Sequence, residues 1–485
     1  MDAIRVFARF LRRAFFSATA LACACFALSN SAFAEQFGRA GDAVQFMLDD
    51  AELHDVRFLN AQVGWAVGDR AAVWHTHDGG RNWRLVNVGA PPTARLESVY
   101  FLDENVGWIA GGFIAPYTHS SNGVLLGTTD GGKTWTSQNA AGLPGLKRAE
   151  FFDLQRGWAL GRPSSVYQSG LFTTENAGKT WRPAPDASSA GWLTGAFVDL
   201  NAGAAAGPNG AIAAVRGGSL QAAQSPVLGA RSARAMRFAE PRLGWLVGDG
   251  ALVLRSGDVG QSWQTPPTNL PVGAEDLFDW KGLAVRGPHL WIAGSPGTRV
   301  LHSPDAGQSW QWLPTGWTTP LNALTFLDER RGWAVGALGA ILSTQDGGQT
   351  WQVQRAGGRR VAILSLFTTP DEVPLELTAR LAGGDGYLAA TWLGVRTDRS
   401  PGPDSRHTLD ERLHAAMLDV GGSSGAVDWR FPAPVEALTA GPEAVVAEWN
   451  RLHSAGGLAQ LERQLVRQLR LWRPEIVLTS TPGDG

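Results

Sequence analysis

The sequence predicts an all-β, seven-bladed β-propeller followed by a smaller α/β, Rossmann-like C-terminal domain. Three observations predict it. One turn motif is written six times, a Gly-Trp strand pair recurs at steps of 40 to 50 residues, and both stop near residue 360. The expected domains are an export signal at 1–34, the propeller at 35–360, and a degenerate or incomplete α/β domain at 361–485.

The first segment carries Arg5, Arg9, Arg12 and Arg13, then the apolar run "AFFSATALACACFAL", then small residues Ala32-Phe33-Ala34 ahead of Glu35. That order is the pattern of a secretory signal, and the apolar run is too short for a membrane span. "LRRAFF" matches a twin-arginine signal in part, and an ordinary Sec signal is favoured. The expected location is therefore periplasmic or secreted, with no transmembrane segment left after cleavage. Both cysteines, Cys23 and Cys25, lie in this segment, so a chain cut after Ala34 has no thiol for disulfides, catalysis or metal. Cleavage also removes four arginines and one aspartate, moving the formal charge from −2 to near −5. No basic cluster remains, which argues against a nucleic-acid partner.

The repeat begins with strand pairs such as "VRFLNAQVGWAVGD" (56–69), "VYFLDENVGWIAGG" (99–112) and "LTFLDERRGWAVGA" (324–337). Trp65, Trp108, Trp158, Ala205, Trp245, Trp291 and Trp333 are taken as equivalent, with the fourth unit degenerate. Each pair runs into Ser/Thr-x-Asp-x-Gly-x-x-Trp. The acids and tryptophans are Asp78 and Trp83, Asp130 and Trp135, Asp258 and Trp263, Asp305 and Trp310, Asp346 and Trp351. Asn176 replaces the acid before Trp181.

A tight hairpin needs residues that accept positive φ, which glycine does at least cost. The acid and hydroxyl can bond turn N–H groups that the ladder leaves unpaired. The tryptophan is expected to plug the hairpin's open side. Alternating strands in forty-odd-residue units describe a propeller blade, and a single blade cannot cover its own apolar face, so the ring must close. "AVQFMLD" (43–49) is expected to lend a strand to the last blade for that closure.

This turn together with "GWAVG" resembles the photosystem II stability/assembly factor family, whose turn is shared with bacterial neuraminidase (BNR) repeats, over residues 44–360. The resemblance implies a non-catalytic scaffold that holds a protein partner. It also implies that the box acids are structural caps without a cofactor. A sialidase-like glycan-binding propeller is the enzyme-related alternative; it would need three arginines and a Tyr–Glu couple at the ring's centre. Tyr100, in "SVYFLD", reads as a core position. His75 and His77 share a strand face, but no third ligand is evident, so they read as solvent-facing hairpin histidines. The insertion 111–123 is the better binding-loop candidate. Trp192, Trp280, Trp312 and Trp317 lie outside the repeat positions and suit either stacking on a ligand or extra packing.

Beyond residue 360, strands are expected at 361–367, 387–393 and 426–432. Helices are expected at 373–383 and 409–422, and a long one before Pro474. This order resembles the PIG-L-type de-N-acetylase family over 361–485. In that resemblance, Asp371 falls on the general base and Glu372 on a zinc-ligand aspartate. Thr369 replaces the first zinc histidine, and no His-Pro-Asp-His follows. A hydroxyl is a poor substitute for imidazole on zinc. Zinc is therefore expected only under the alternative reading, an N-acetylglucosamine-type deacetylase that the propeller would target to an envelope glycan. The main expectation is an exported scaffold that binds a protein or envelope component.

Overall fold

A computed structural model describes residues 47–115, 120–138, 142–163, 167, 169–185, 191–240, 242–396, 408–454 and 456–480. The segment expected to be an export signal, both cysteines and residues 43–46 lie outside these. One compact unit spans Asp50–Arg359 and a second takes up the chain from Arg360.

The first unit is seven antiparallel sheets, each built from consecutive strands in sequence order. Their innermost strands are Leu53–Phe58, Arg95–Phe101, Leu146–Phe151, Thr194–Asp199, Ala233–Phe238, Asp279–Arg286 and Leu321–Phe326. Six blades have four strands, and blade 5 has three. The second strand of most blades, such as Gly64–Gly68 or Gly332–Gly336, is buried along its whole length. Sheets covered on both faces need such continuous apolar runs.

Neighbouring blades are joined by an aromatic clasp. At four of the seven junctions the repeat tryptophan of one blade lies against the phenylalanine ending the next blade's innermost strand, and that blade's box tryptophan meets the phenylalanine edge-on. Between blades 1 and 2, Trp65 stacks over Phe101 at 6.0 Å, and Trp135 meets both rings in T-shaped contacts. A Cβ on Gly132 would lie 2.3 Å from Trp65, so only glycine lets the indole slide over the turn. The box tryptophan thus seals the gap between blades and does not plug its own hairpin.

Blade 7 completes its sheet with four strands of its own, Leu321–Phe326 through Gln352–Arg355. Of the stretch 43–49 expected to lend a strand, residues 43–46 lie outside the described residues and Met47–Asp49 is helical. Side chains close the ring. Trp333 stacks on Phe58 at 3.5 Å, Asn322 Nδ2 donates to the Leu53 carbonyl at 2.9 Å, and Gln354 Nε2 donates to the Gly79 carbonyl at 3.1 Å. The Arg355 guanidinium lies 3.5 Å over the Trp74 ring. Stacked aromatics and a cation on an indole each stabilise such a contact by about 0.5–1.5 kcal/mol.

Blade 4 corrects the alignment by one residue. Ala196 pairs with Ala204 where Arg57 pairs with Trp65, so Ala204, not Ala205, holds the tryptophan's place. A Cβ on Gly260 would meet the Ala204 methyl at 2.4 Å, matching the Gly132–Trp65 approach. Trp263 turns into the space: it is 2 % exposed and donates to the Gly260 carbonyl at 3.0 Å.

The second unit contains a small parallel sheet flanked in sequence by helices. Its strands Ile363–Phe367, Ala389–Leu393, Ser424–Val427 and Ile476–Leu478 lie in the order third, second, first, fourth. The helix expected at 373–383 is a short helical turn, Leu375–Thr378, running into a π-helical turn, Ala379–Gly384. Leu409–Asp419 and Gly457–Trp472 are helices as expected, and Thr408 caps the first of them in a capping box with Glu411. Two further helices, Val435–Ala440 and Pro442–Leu452, have no counterpart in the sequence reading.

Candidate functional site in the propeller channel

Each box acid is consumed by its own turn. Asp78 Oδ1 accepts from the Thr76 hydroxyl and the Asn82 N–H, both at 2.9 Å, and Oδ2 accepts from Asn82 Nδ2 at 2.7 Å. Asp130, Asp258, Asp305 and Asp346 repeat the pattern with a Ser or Thr hydroxyl on Oδ2. The donors hold Asp78 and Asp130 at about 2, below the ordinary carboxylate value. Asn176 keeps the geometry with the polarity reversed, its Nδ2 donating to the Thr180 hydroxyl at 2.8 Å. These carboxylates are held by their own turns and do not converge with one another.

The histidine pair is likewise packed. The His75 ring lies flat on Trp65 at 3.6 Å, and burial, then the neighbouring His77, lowers it to about 4. Contrary to the solvent-facing expectation, only His77 is exposed. Trp192, Trp280 and Trp317 are buried and belong to the core. The 111–123 insertion lengthens a hairpin, Gly107–Ile114 with Ser121–Thr128; its tip, 116–119, lies outside the described residues.

The polar groups that do converge come from a feature the sequence does not announce. In six blades the innermost strand carries one extra residue against its neighbour, and a bulge re-aims the side chain it carries. The extra residues are His54, Glu97, Lys147, Arg234, Lys281 and Asn322. All six line one cavity of about 170 Å³. Glu97 is gripped by Arg95 at 2.8 Å and by the Lys147 ammonium. Burial pushes that carboxyl up, but Arg95 and Lys147 outweigh it and hold Glu97 at about 2. Arg234 is bidentate to Asp249 at 2.9 and 3.1 Å. Lys281 donates to Asn322 at 3.0 Å, and Asn322 donates to Glu52 at 2.7 Å.

The box turns touch the loop that follows the innermost strand, as when the Gly79 N–H donates to the Gln62 carbonyl. The bulges stand at that strand's start, so the charged mouth and the Asp boxes occupy opposite faces of the ring. Val227 and Val272 are fully exposed on the connections entering blades 5 and 6.

Further along the same strands lies a second polar layer. Arg57, Tyr100, Glu150, Arg237 and Thr325 share one register, each paired with the repeat-tryptophan position. Tyr100, read from sequence as a core residue, therefore shares this layer with Glu150. It does not form a sialidase-like couple. The phenol donates to the Phe151 carbonyl at 3.0 Å, and Glu150 accepts from Arg148 Nε at 2.6 Å. Burial, then the Glu150 charge, raises the Tyr100 hydroxyl above its ordinary value, which opposes nucleophile formation.

In the second unit, Thr368–Glu372 leaves the first strand where the strand order reverses. Glu372 Oε2 accepts from the Thr368 N–H, the Thr368 hydroxyl and the Thr369 N–H at 2.9–3.2 Å. The expected metal ligand is thus folded back as a turn cap. Among the described residues, neither Asp371 nor Glu372 joins a group able to hold a metal.

A family model described as photosynthesis system II assembly factor YCF48 matches residues 39–183 and 228–322, together just under half of the chain. The ring is a YCF48-like β-propeller. The unmatched stretch between the two segments contains degenerate blade 4. No curated protein matches the chain. Among solved structures, YCF48 bound to D1 peptide is 21 % identical, covering 61 % of this chain and 92 % of its own, with a TM-score of 0.49. YCF48 from Cyanidioschyzon merolae is 20 % identical over 61 % of this chain and 96 % of its own, TM-score 0.47. The GH74 enzyme of Niastella koreensis is 13 % identical over 65 % of this chain and 56 % of its own, TM-score 0.51. At such identities the likeness concerns fold alone.

Proposed function

We propose that the YCF48-like propeller is an exported, non-catalytic scaffold that binds a protein partner at its charged mouth. The observation that carries this reading is the ring of bulged residues: six blades each spend an irregularity to bring a polar side chain to one opening. A mouth of fixed charges suits a segment that is polar at the axis. The solved YCF48 with its D1 peptide supports a protein ligand over an envelope glycan for this fold. We read the parallel sheet of the second unit as Rossmann-like, from its 3-2-1-4 order, and as a degenerate PIG-L relative whose loop no longer offers a ligand set.

Two measurements test the reading. The periplasmic fraction should yield a mature N-terminus at Glu35. Full-length protein crosslinked in the periplasm should capture a defined partner that Lys147→Glu with Lys281→Glu loses while the fold, by circular dichroism, is retained. Capture that is indifferent to both charge reversals removes the mouth from the proposal.

A further inference from the structure

The channel layer below the mouth carries more cation than the protein neutralises. Arg57, Arg148 and Arg237 project there from three blades, against Asp55 and Glu150. Glu150 is engaged by Arg148 at 2.6 Å. The Asp55 carboxylate accepts the Val56 and Val99 N–H groups at 3.0 and 3.1 Å. Arg57 and Arg237 are left over. Arg57 Nε is buried with no hydrogen-bond partner. Arg237 Nη1 donates only to the Met236 carbonyl, at 2.8 Å, and among the described residues no carboxylate lies within ion-pair distance of either guanidinium.

Both side chains are half-buried in the channel wall, and native structures seldom leave a buried donor such as Arg57 Nε unsatisfied. Burial, then repulsion from Arg148, already lowers Arg237 to about 10. A small anion with several acceptor oxygens relieves both at once, and two guanidinium forks are the side chains best shaped for it.

We propose that the channel holds one oxyanion, a carboxylate or a phosphate, between Arg57 and Arg237. The mouth residues are internally paired, and Arg237 lines the floor of the same cavity, so the anion would sit directly below the partner-binding mouth; the anion titration needs no partner and therefore fails or succeeds independently of the partner capture. Thr325, in the same layer, supplies a hydroxyl to complete the shell, while the Tyr100 O–H is already given to the Phe151 carbonyl.

The test uses the full-length protein in a zwitterionic buffer free of other oxyanions. Inorganic phosphate and acetate are titrated by calorimetry, with the melting temperature followed in parallel. One saturable site per chain is expected, with a matching rise in melting temperature. Arg57→Gln and Arg237→Gln should each weaken binding at least about tenfold, as loss of one charge-assisted pair requires. Arg255→Gln, on the outer part of blade 5, should leave binding unchanged. If Arg237→Gln perturbs folding, Arg57→Gln decides alone. A short peptide with a free terminal carboxylate, set against its amide, separates the sources. A large preference for the free acid over acetate assigns the site to a chain-borne carboxylate, and equal or tighter phosphate binding assigns it to a free anion. Absence of saturable binding, or binding indifferent to both arginine substitutions, overturns the proposal.

Discussion

The junction between blades 1 and 2 and the junction between blades 4 and 5 solve one packing problem with different residues. At the first, Trp65 is buried and Trp135 lies half-exposed across it. At the second, Ala204 leaves a hole of indole size, and the box tryptophan itself swings inward to occupy it. The difference teaches that the conserved quantity is the volume filled between blades, while the chain supplying it is free to vary. Two tryptophans with identical motif positions therefore carry different loads, and the sequence motif alone cannot rank them.

The strongest way to break this contrast is Trp65→Ala. A fully buried indole is lost from a junction with no substitute, so a destabilisation of about 3–5 kcal/mol is expected in urea unfolding. Trp263→Ala should approach that cost, while Trp135→Ala, at the equivalent box position, should cost about 1–2 kcal/mol because its ring is only partly buried. Equal effects from these two substitutions would erase the distinction between the junctions. Restoring the missing ring sharpens it: Ala204→Trp alone should destabilise by about 1–3 kcal/mol through overpacking against Trp263. Combined with Trp263→Ala, it should recover part of that loss, a coupling that a double-mutant cycle reads directly.

The smallest expected effect is a pH dependence. Asp78 and Asp130 sit at about 2 in the folded ring, below their unfolded values, so their contribution is present above about pH 4 and fades as pH falls toward 2. The melting temperature should fall across that window. Asp130→Asn should flatten the fall slightly, since Asn176 already shows that an amide fits the turn.

The blades were legible because their spacing is fixed by backbone geometry: glycine where φ is positive and tryptophan where two sheets meet. The box acids were legible for the same reason. The channel was not. Glu97, Lys147 and Arg234 lie in strands whose alternation reads as ordinary polar positions, and only the extra residue in the ladder turns them to one opening. The Leu96–Gly111 and Ser98–Ala110 pairings reveal the bulge at Glu97, and no local residue type marks it. Tyr100 was read as a packing residue and does pack against the Trp108 cluster, but its place in the channel layer beside Glu150 was not legible, because the innermost strand of a ring faces a hollow. Ala204 was displaced by one residue because "AGAAAG" offers no landmark within the run. The helices at Val435–Ala440 and Pro442–Leu452 were missed where Gly441-Pro442 divides a short amphipathic pattern.

Because among the described residues each blade is built from consecutive strands of its own, the cyclic order of the sheets is indifferent to where the polypeptide starts. Circular permutants opened at another inter-blade connection, with Asp50 and Arg359 linked, should therefore assemble the same ring. The seam between blades 7 and 1 would then become an ordinary covalent crossing, and a gene could drift through such rearrangements without passing through an unfolded ancestor.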